Sequence, residues 1–311
     1  MVKALVTGGA GFIGSHIVSL LQEEGHDVVV LDNMTSGHRA NLERFPAVHL
    51  VQGDVRDSSL LDSALVDVEV VFHLAASVGN LRSVEHPIED SEINVIGTLR
   101  VLEAARHAAV RKVVYSSSAA VFGELRVLPI REDHPLDPDS PYGVSKLAGE
   151  KMCLAYARLY DLETVCLRYF NVYGVNQRYD AYGNVIPIVA HQLLHGRPVT
   201  VYGDGEQTRD FVNARDVAQA NVRAGLTKGV SGVFNIASGT AITINRLVRL
   251  MGEAGGVAVT LQHGPPRKGD VRDSVADTSA ARLAFGYSAA VGLRQGLAEY
   301  MDWAKAEMMG A

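Results

Sequence analysis

The chain has 311 residues, with 29 Lys and Arg against 35 Asp and Glu for a formal charge of −6, and 47% of its side chains are apolar. That length and composition suit one large or two modest packed domains; they exclude a collagen-like repeat, a disordered chain and a small disulfide scaffold. The mild acidity, with no Lys/Arg block, argues against a nucleic acid as the main partner.

Cys153 and Cys166 sit in apolar surroundings and form no metal-ligand spacing, so they read as core thiols of a reduced cytosol. Lys3 alone precedes a short apolar run that Gly8 and Gly9 interrupt, which predicts no secretory leader. No apolar run approaches the ~18 residues of a membrane span. The expectation is a soluble, cytoplasmic protein without membrane, nucleic-acid or metal partners.

In chain order, β-branched runs at 4–7, 27–31, 48–52, 68–73, 112–116 and 164–168 predict strands, and helical patterns fall near 12–23, 59–65, 93–108 and 141–159. Strands without apolar–polar alternation are covered on both faces, so the expected fold is α/β: a doubly wound parallel sheet with right-handed crossovers. Beyond about Asn171 the rhythm breaks. Residues 174–184 read as a long loop, followed by a helix at 185–194, a strand at 199–202 and a loop at 203–209. A helix from Ala214, a strand at 233–237 and helices near 244–254 and 295–307 complete the chain, with no repeat and no Gly/Ser linker. The expected division is a dinucleotide-binding domain over 1–171, helped by about 210–238, and a smaller C-terminal substrate-binding domain over 172–209 and 239–311.

The glycines of Val6-Thr7-Gly8-Gly9-Ala10-Gly11-Phe12-Ile13-Gly14 stand between the first strand and the first helix. Gly8 permits the tight turn, Gly11 and the amides of Phe12 and Ile13 can approach a pyrophosphate, and Gly14 permits close helix–strand packing. Asp32 ends the second strand, eighteen residues after Gly14, where a carboxylate accepts from ribose hydroxyls and repels a 2′-phosphate. The cofactor is therefore read as NAD rather than NADP, with Arg39 the one nearby cation that complicates this. Asn33, Ser36 and Gly37 adjoin the adenosine side. Asp54 and Val55 are placed at the adenine edge, and Leu74, Ala75 and Ala76 under the cofactor.

Ser140 and Pro141 start a helix on which Tyr142 and Lys146, four apart, share a face. An ammonium near a phenol favours the phenolate, which a general base at neutral pH needs, and Lys146 can also reach a nicotinamide ribose. Ser118, ending the fifth strand, can share the substrate's reacting oxygen with Tyr142. Ser116 and Tyr169 complete the expected cofactor set, and Asn94 orients the site.

These motifs, together with Leu167-Arg168-Tyr169-Phe170-Asn171-Val172-Tyr173-Gly174 and Thr208-Arg209-Asp210-Phe211, resemble the extended short-chain dehydrogenase/reductases over essentially the whole chain, most closely the nucleotide-sugar 4-epimerases. The resemblance implies that Tyr142, aided by Ser118, removes the proton of the sugar 4-hydroxyl while the C4 hydride passes to NAD. The 4-keto sugar then turns over and takes the hydride back on its other face. Dehydratases of the family carry an Asp-Glu pair after the fifth strand, and its decarboxylases a Glu; here Ser118 is followed by Ala119-Ala120. Epimerisation leads, ahead of a reductase or dehydrogenase on a nucleotide sugar and of a non-catalytic NAD sensor.

Similarity to the family also places Asn171, Asn184 and Arg209 on the diphosphate of a UDP-hexose, with Arg267 adding charge. Tyr202 would stack on the uracil, Asp270 accept from its ribose, and Val185 and Val199 flank the substrate. Ser274 stands where strict UDP-glucose epimerases tend to carry a bulky Tyr, leaving room for the acetamido group of UDP-N-acetylglucosamine. Arg178 stands where neutral-sugar epimerases often have Asp, so it could hold the carboxylate of UDP-glucuronate; the competing reading is a solvated loop cation. UDP-glucose/UDP-galactose leads. The helices near 93–108 and 141–159 are expected to pair with their copies in a homodimer.

Overall fold

The run Val28-Val29-Val30-Leu31 is buried on both faces, as a strand with helices above and below must be. The computed structural model, which describes residues 1–180, 183–266 and 271–309, builds the first half from such strands. In chain order these are β1 (Lys3–Thr7), α1 (Phe12–Glu23), β2 (Asp27–Asp32), β3 (His49–Gln52), α2 (Ser58–Ala64) and β4 (Val70–His73). There follow α3 (Asn80–Glu85), α4 (Pro87–Ser91), a wide π-helical turn (Glu92–Gly97), α5 (Thr98–His107), β5 (Lys112–Ser118), α6 (Pro141–Leu159) and β6 (Glu163–Tyr169). The second half contributes β7 (Asn171–Tyr173), α7 (Val185–Leu194), β8 (Val199–Tyr202), β9 (Thr208–Asn213), α8 (Ala214–Leu226) and β10 (Gly232–Ile236). It ends with β11 (Ala241–Thr243), α9 (Ile244–Gly255), β12 (Leu261–Gly264), α10 (Ser279–Phe285) and α11 (Leu293–Met309).

Seven strands form one parallel sheet in the order β10-β6-β5-β4-β1-β2-β3. Strand order reverses between β1 and β4, and ligands of such sheets bind beyond the carboxyl ends at that reversal. Thr7, Asp32, His73, Ser118 and Tyr169 all end strands on that edge. Two apolar clusters cover the two faces of the sheet. One holds Ile17, Val18 and Leu21 of α1 with Val217 and Ala220 of α8; the other holds Val101, Leu102 and Ala105 of α5 with Cys153 of α6. Both cysteines are buried free thiols.

The second half differs from expectation in its short strands. The predicted loop 203–209 runs into β9, which pairs parallel with β7 and antiparallel with β11; β12 pairs with β8. Their partners are remote in sequence, so no local pattern announces them. The expected helix 93–108 begins regular only at Thr98, because residues 92–97 form the wide π turn. A third cluster, including Val189, Val199, Leu247 and Tyr300, packs α7, α9 and α11 around these strands. No helix among the described residues is long and apolar enough to cross a membrane.

Candidate active site

The glycine turn has the geometry a dinucleotide requires. Gly8 takes φ of +71°, and a Cβ there would lie 2.8 Å from the backbone nitrogen of Ala75; a Cβ on Gly14 would lie 2.1 Å from the carbonyl oxygen of Gly8. Gly11 precedes α1 in extended conformation, and no side chain caps the helix, so the first-turn amides of Phe12 and Ile13 are left to an anion. Asp32, at the end of β2, accepts from the amides of Ala10 (3.0 Å) and Met34 (2.8 Å), which fixes the carboxylate beside the turn. Gly37 packs against it so closely that a Cβ would meet Asp32 Oδ1 at 2.7 Å. These features fit a dinucleotide with an unphosphorylated adenosine ribose.

Other expected contacts of the cofactor differ in kind. Asn33 and Ser36 are exposed, and Leu74, Ala75 and Ala76 are half-buried after β4. Asp54 pairs with Arg56 at 2.9 Å and accepts from Asn33, and that guanidinium holds its carboxyl down to about 2. Val55 is buried in the core under the sheet and presents little surface. Arg39 donates to Gln52 rather than toward Asp32. Asn94, delivered by the π turn, is buried; it exchanges hydrogen bonds with the backbone of Ser77 and donates to Asp90 and Ser145. It therefore orients the post-β4 loop against α6.

Ser140 caps α6 by accepting from the Gly143 amide, with Pro141 in the first turn. The helix passes over β5 so tightly that a Cβ on Gly149 would meet the Tyr115 hydroxyl at 2.2 Å. This brings Lys146 Nζ within 2.9 Å of the Ser116 carbonyl oxygen and 5.9 Å from the centre of the Tyr142 ring. Burial lowers the Lys146 ammonium to about 8 and raises the Tyr142 phenol to about 12, while a hydrogen bond with Ser118 acts against the rise. The expectation that Lys146 would depress the phenol is not met: burial raises it most, the Asp90 carboxylate adds to the rise, and only the Ser118 hydroxyl acts against it. Tyr169 does not open toward a ligand either. Its hydroxyl bonds Ser116 (2.9 Å) and Asn221 (2.9 Å), bracing β5 from behind.

Two buried groups missed in the sequence reinforce this edge. Glu150, one turn beyond Lys146, forms a two-pronged ion pair with Arg168 (both bonds 2.9 Å) and accepts from Ser117. Asp210 accepts from the amides of Ser238, Gly239 and Ala276 and from the Ser238 hydroxyl, tying β9 to the loops beside it. A carboxylate spaced four from Lys146, and an Arg within an apolar strand, were the available signals.

On the proposed sugar side, β7–β9 pairing sets Asn171 opposite Phe211; Asn171 Nδ2 donates to the Asp210 carbonyl, and Arg209, two residues before Phe211 on β9, donates through Nη1 to the Thr208 carbonyl. Tyr202 is exposed at the end of β8, opposite Gly264. Ser274 is buried, its amide 3.4 Å from Thr208 Oγ1. Asn184 precedes α7 without capping it, and Val185 opens that helix. Arg267 and Asp270 lie outside the described residues. Val199 is placed differently from expectation: it is buried in the third apolar cluster, because alternate residues of β8 face the core. Arg178 is also placed differently. Its Nε donates to Glu307, its Nη1 to Asn41 at 3.1 Å, and its guanidinium lies over Trp303 at 5.7 Å. Two of its three nitrogens thus already have partners within the fold.

Residues 4–237 match the family model described as the NAD dependent epimerase/dehydratase family. The UDP-glucose 4-epimerase of Mycolicibacterium smegmatis is 40% identical over 97% of this chain and 98% of its own. Among solved structures, the UDP-glucose 4-epimerase of Thermotoga maritima, determined with UDP-glucose, superposes with a TM-score of 0.93 at 37% identity, covering 98% of this chain and 99% of that one. The UDP-glucose 4-epimerase of Thermus thermophilus, determined with NAD, gives 0.88 at 38% identity over 97% and 98%. Motif geometry, strand order and full-length similarity agree, and this chain belongs to the NAD dependent epimerase/dehydratase family.

Proposed function

We propose that this chain is an NAD-dependent UDP-hexose 4-epimerase, interconverting UDP-glucose and UDP-galactose through a 4-keto intermediate. One juxtaposition supports the reading above all: the Tyr142 phenol, hydrogen-bonded to Ser118 and on one helix face with Lys146, at the reversal edge of the sheet. When bound, NAD supplies the hydride acceptor at C4, returns the same hydride, and so leaves no net redox change. Tyr142 takes the proton of the sugar 4-hydroxyl and gives it back after the keto sugar has presented its other face. Ser118 donates to whichever of the two oxygens carries charge. Lys146, held by the Ser116 carbonyl with its ammonium 5.9 Å from the Tyr142 ring, is assigned to stabilise the phenolate once it forms and to reach the nicotinamide ribose. Ala119 and Ala120 offer no acid or base for elimination.

Tyr202, Arg209, Asn171 and Asn184 are assigned to the uridine diphosphate, with Arg267 and Asp270 completing it. Residues 1–171 with about 210–238 serve the cofactor, and the remainder the sugar nucleotide. A second reading, UDP-N-acetylglucosamine, is favoured by one feature: Ser274 is small where a Tyr would crowd C2. The test is to incubate purified protein, without added NAD, with UDP-glucose, UDP-N-acetylglucosamine and UDP-glucuronate separately, and to follow the anomeric protons by NMR. Conversion of UDP-glucose to its C4 epimer is expected; no conversion of any, even with NAD supplied, would overturn the assignment. The protein is further read as a cytoplasmic homodimer joined through the π turn with α5 and through α6, where Ile96 of the turn and Val144 of α6 are exposed. A monomeric mass in sedimentation would remove the dimer.

A further inference from the structure

The chain between the two sugar-side residues Asn171 and Asn184 does not stay on the sugar side. Directly after β7, Gly174 and Asn176 take positive φ values of 149° and 71°, turning the chain toward α1; Asn is among the few side chains that tolerate the left-handed region. The segment is fastened there at two points. The ring of His16 bonds the Val175 carbonyl at 2.8 Å, and Asn176 Nδ2 donates to Ser15 Oγ at 3.0 Å. Ser15 and His16 lie on the first turns of the helix whose N-terminus faces the pyrophosphate. Behind it, the Tyr300 hydroxyl of α11 donates to the Gln177 carbonyl at 3.0 Å.

Arg178 joins the ends of this arrangement. Its Nε donates to Glu307 of α11, its face rests over Trp303, and its Nη1 donates to Asn41 Oδ1. Asn41 passes the connection on, because its amide nitrogen donates to the Ala10 carbonyl at 2.8 Å, and the His38 amide donates to the same oxygen at 3.0 Å. Ala10 in turn donates to Asp32, the residue placed under the adenosine ribose. From the C-terminal helix to the adenosine wall the path is therefore Glu307, Arg178, Asn41, Ala10, Asp32. A planar guanidinium can donate in two divergent directions and stack at once; an ammonium cannot replace that geometry.

We infer that Arg178 is a latch on the cofactor: by pinning the 38–41 loop to α11 and to the 174–178 strap, it holds the adenosine wall closed and retains NAD between turnovers. The inference rests on the NAD-dependent reading above and gives Arg178 a positioning role rather than contact with sugar. It also explains why Arg and not Asp serves at this position, since Asn41 Oδ1 and the Glu307 carboxylate both need a donor.

Retention is measured directly, as NAD remaining on the protein after dilution and gel filtration, quantified after denaturation, and as the rate of exchange against labelled NAD. Arg178→Ala is expected to exchange NAD roughly tenfold faster or more, the loss of one charge-assisted bond being of that size. Arg178→Lys should rescue only in part. Glu307→Ala, altering an exposed residue near the chain's end, should shift exchange the same way by a smaller factor. Activity assayed without added NAD should fall in step and recover when NAD is supplied. Exchange at the wild-type rate in both alanine variants overturns the latch, as does an Arg178→Ala enzyme that keeps its NAD and loses only turnover of UDP-glucuronate. A wild-type protein that binds no NAD at all overturns the cofactor assignment as well, so the two failures are distinct.

Discussion

The cofactor edge and the sugar side of this molecule are assembled in opposite ways. The cofactor edge is made of contiguous motifs, each at the end of its own strand: Gly8 to Gly14 after β1, Asp32 ending β2, Ser116 to Ser118 ending β5. The proposed sugar side is made of single residues drawn together by short strands whose partners lie far away, as where β7–β9 pairing sets Asn171 opposite Phe211 and against the Asp210 carbonyl. The parallel sheet positions a residue by its place in a buried strand. The second half positions it by hydrogen bonds such as those converging on Asp210. A substitution at the first edge should therefore act on the chemical step, and one on the sugar side on binding.

Tyr142→Phe tests that contrast hardest. It removes only the phenol oxygen, so kcat should fall by about 10²–10⁴ while the protein keeps its NAD and its affinity for the sugar nucleotide. A variant that turned over like the wild type would end Tyr142's role as base. Ser118→Ala comes next. Its hydrogen bond lowers the Tyr142 phenol against a burial that raises it. Removing it raises the pKa of a group needed in its deprotonated form, so the rising limb of the kcat–pH profile should move to higher pH. At neutral pH the loss should be about 10–100-fold, matching ~1.5–3 kcal/mol for a bond to a charged group. A limb that stays in place would place Ser118 outside the proton transfer. The smallest effect is expected on the sugar side, where Tyr202→Ala should raise KM about 5–100-fold through lost stacking on the base, worth ~1–3 kcal/mol, with kcat little changed. A fall in kcat at constant KM would erase the distinction between the two sides.

Legibility follows the same division. The glycine turn, Asp32, Ser118 and the Tyr142/Lys146 pair were readable because their spacing within one strand–turn–helix unit fixes their geometry. The ionisation of that pair was not readable. Helical spacing brings Lys146 near Tyr142, but how far burial raises the phenol depends on the whole packed edge around it. Val199 looked like a substrate contact until the pleat of β8 turned it into the core. Arg178 looked like a cation for the sugar; its actual partners, Asn41 and Glu307, are more than a hundred residues away on either side. The Glu150–Arg168 pair was hidden for a related reason, since two charges buried between α6 and the sheet have no local signature.

Sequence alone determined the doubly wound sheet, the dinucleotide turn, the preference for NAD and the placing of Ser118, Tyr142 and Lys146 at the sheet's carboxyl edge. Each is encoded by apolar periodicity and by residue types at short spacing, which local backbone geometry converts directly into position. Tertiary structure alone decided how burial shifts Tyr142 and Lys146, the partners of Arg178 and the pairing of the short strands in the second half. Those depend on desolvation and on contacts between distant segments, which only the folded chain brings together.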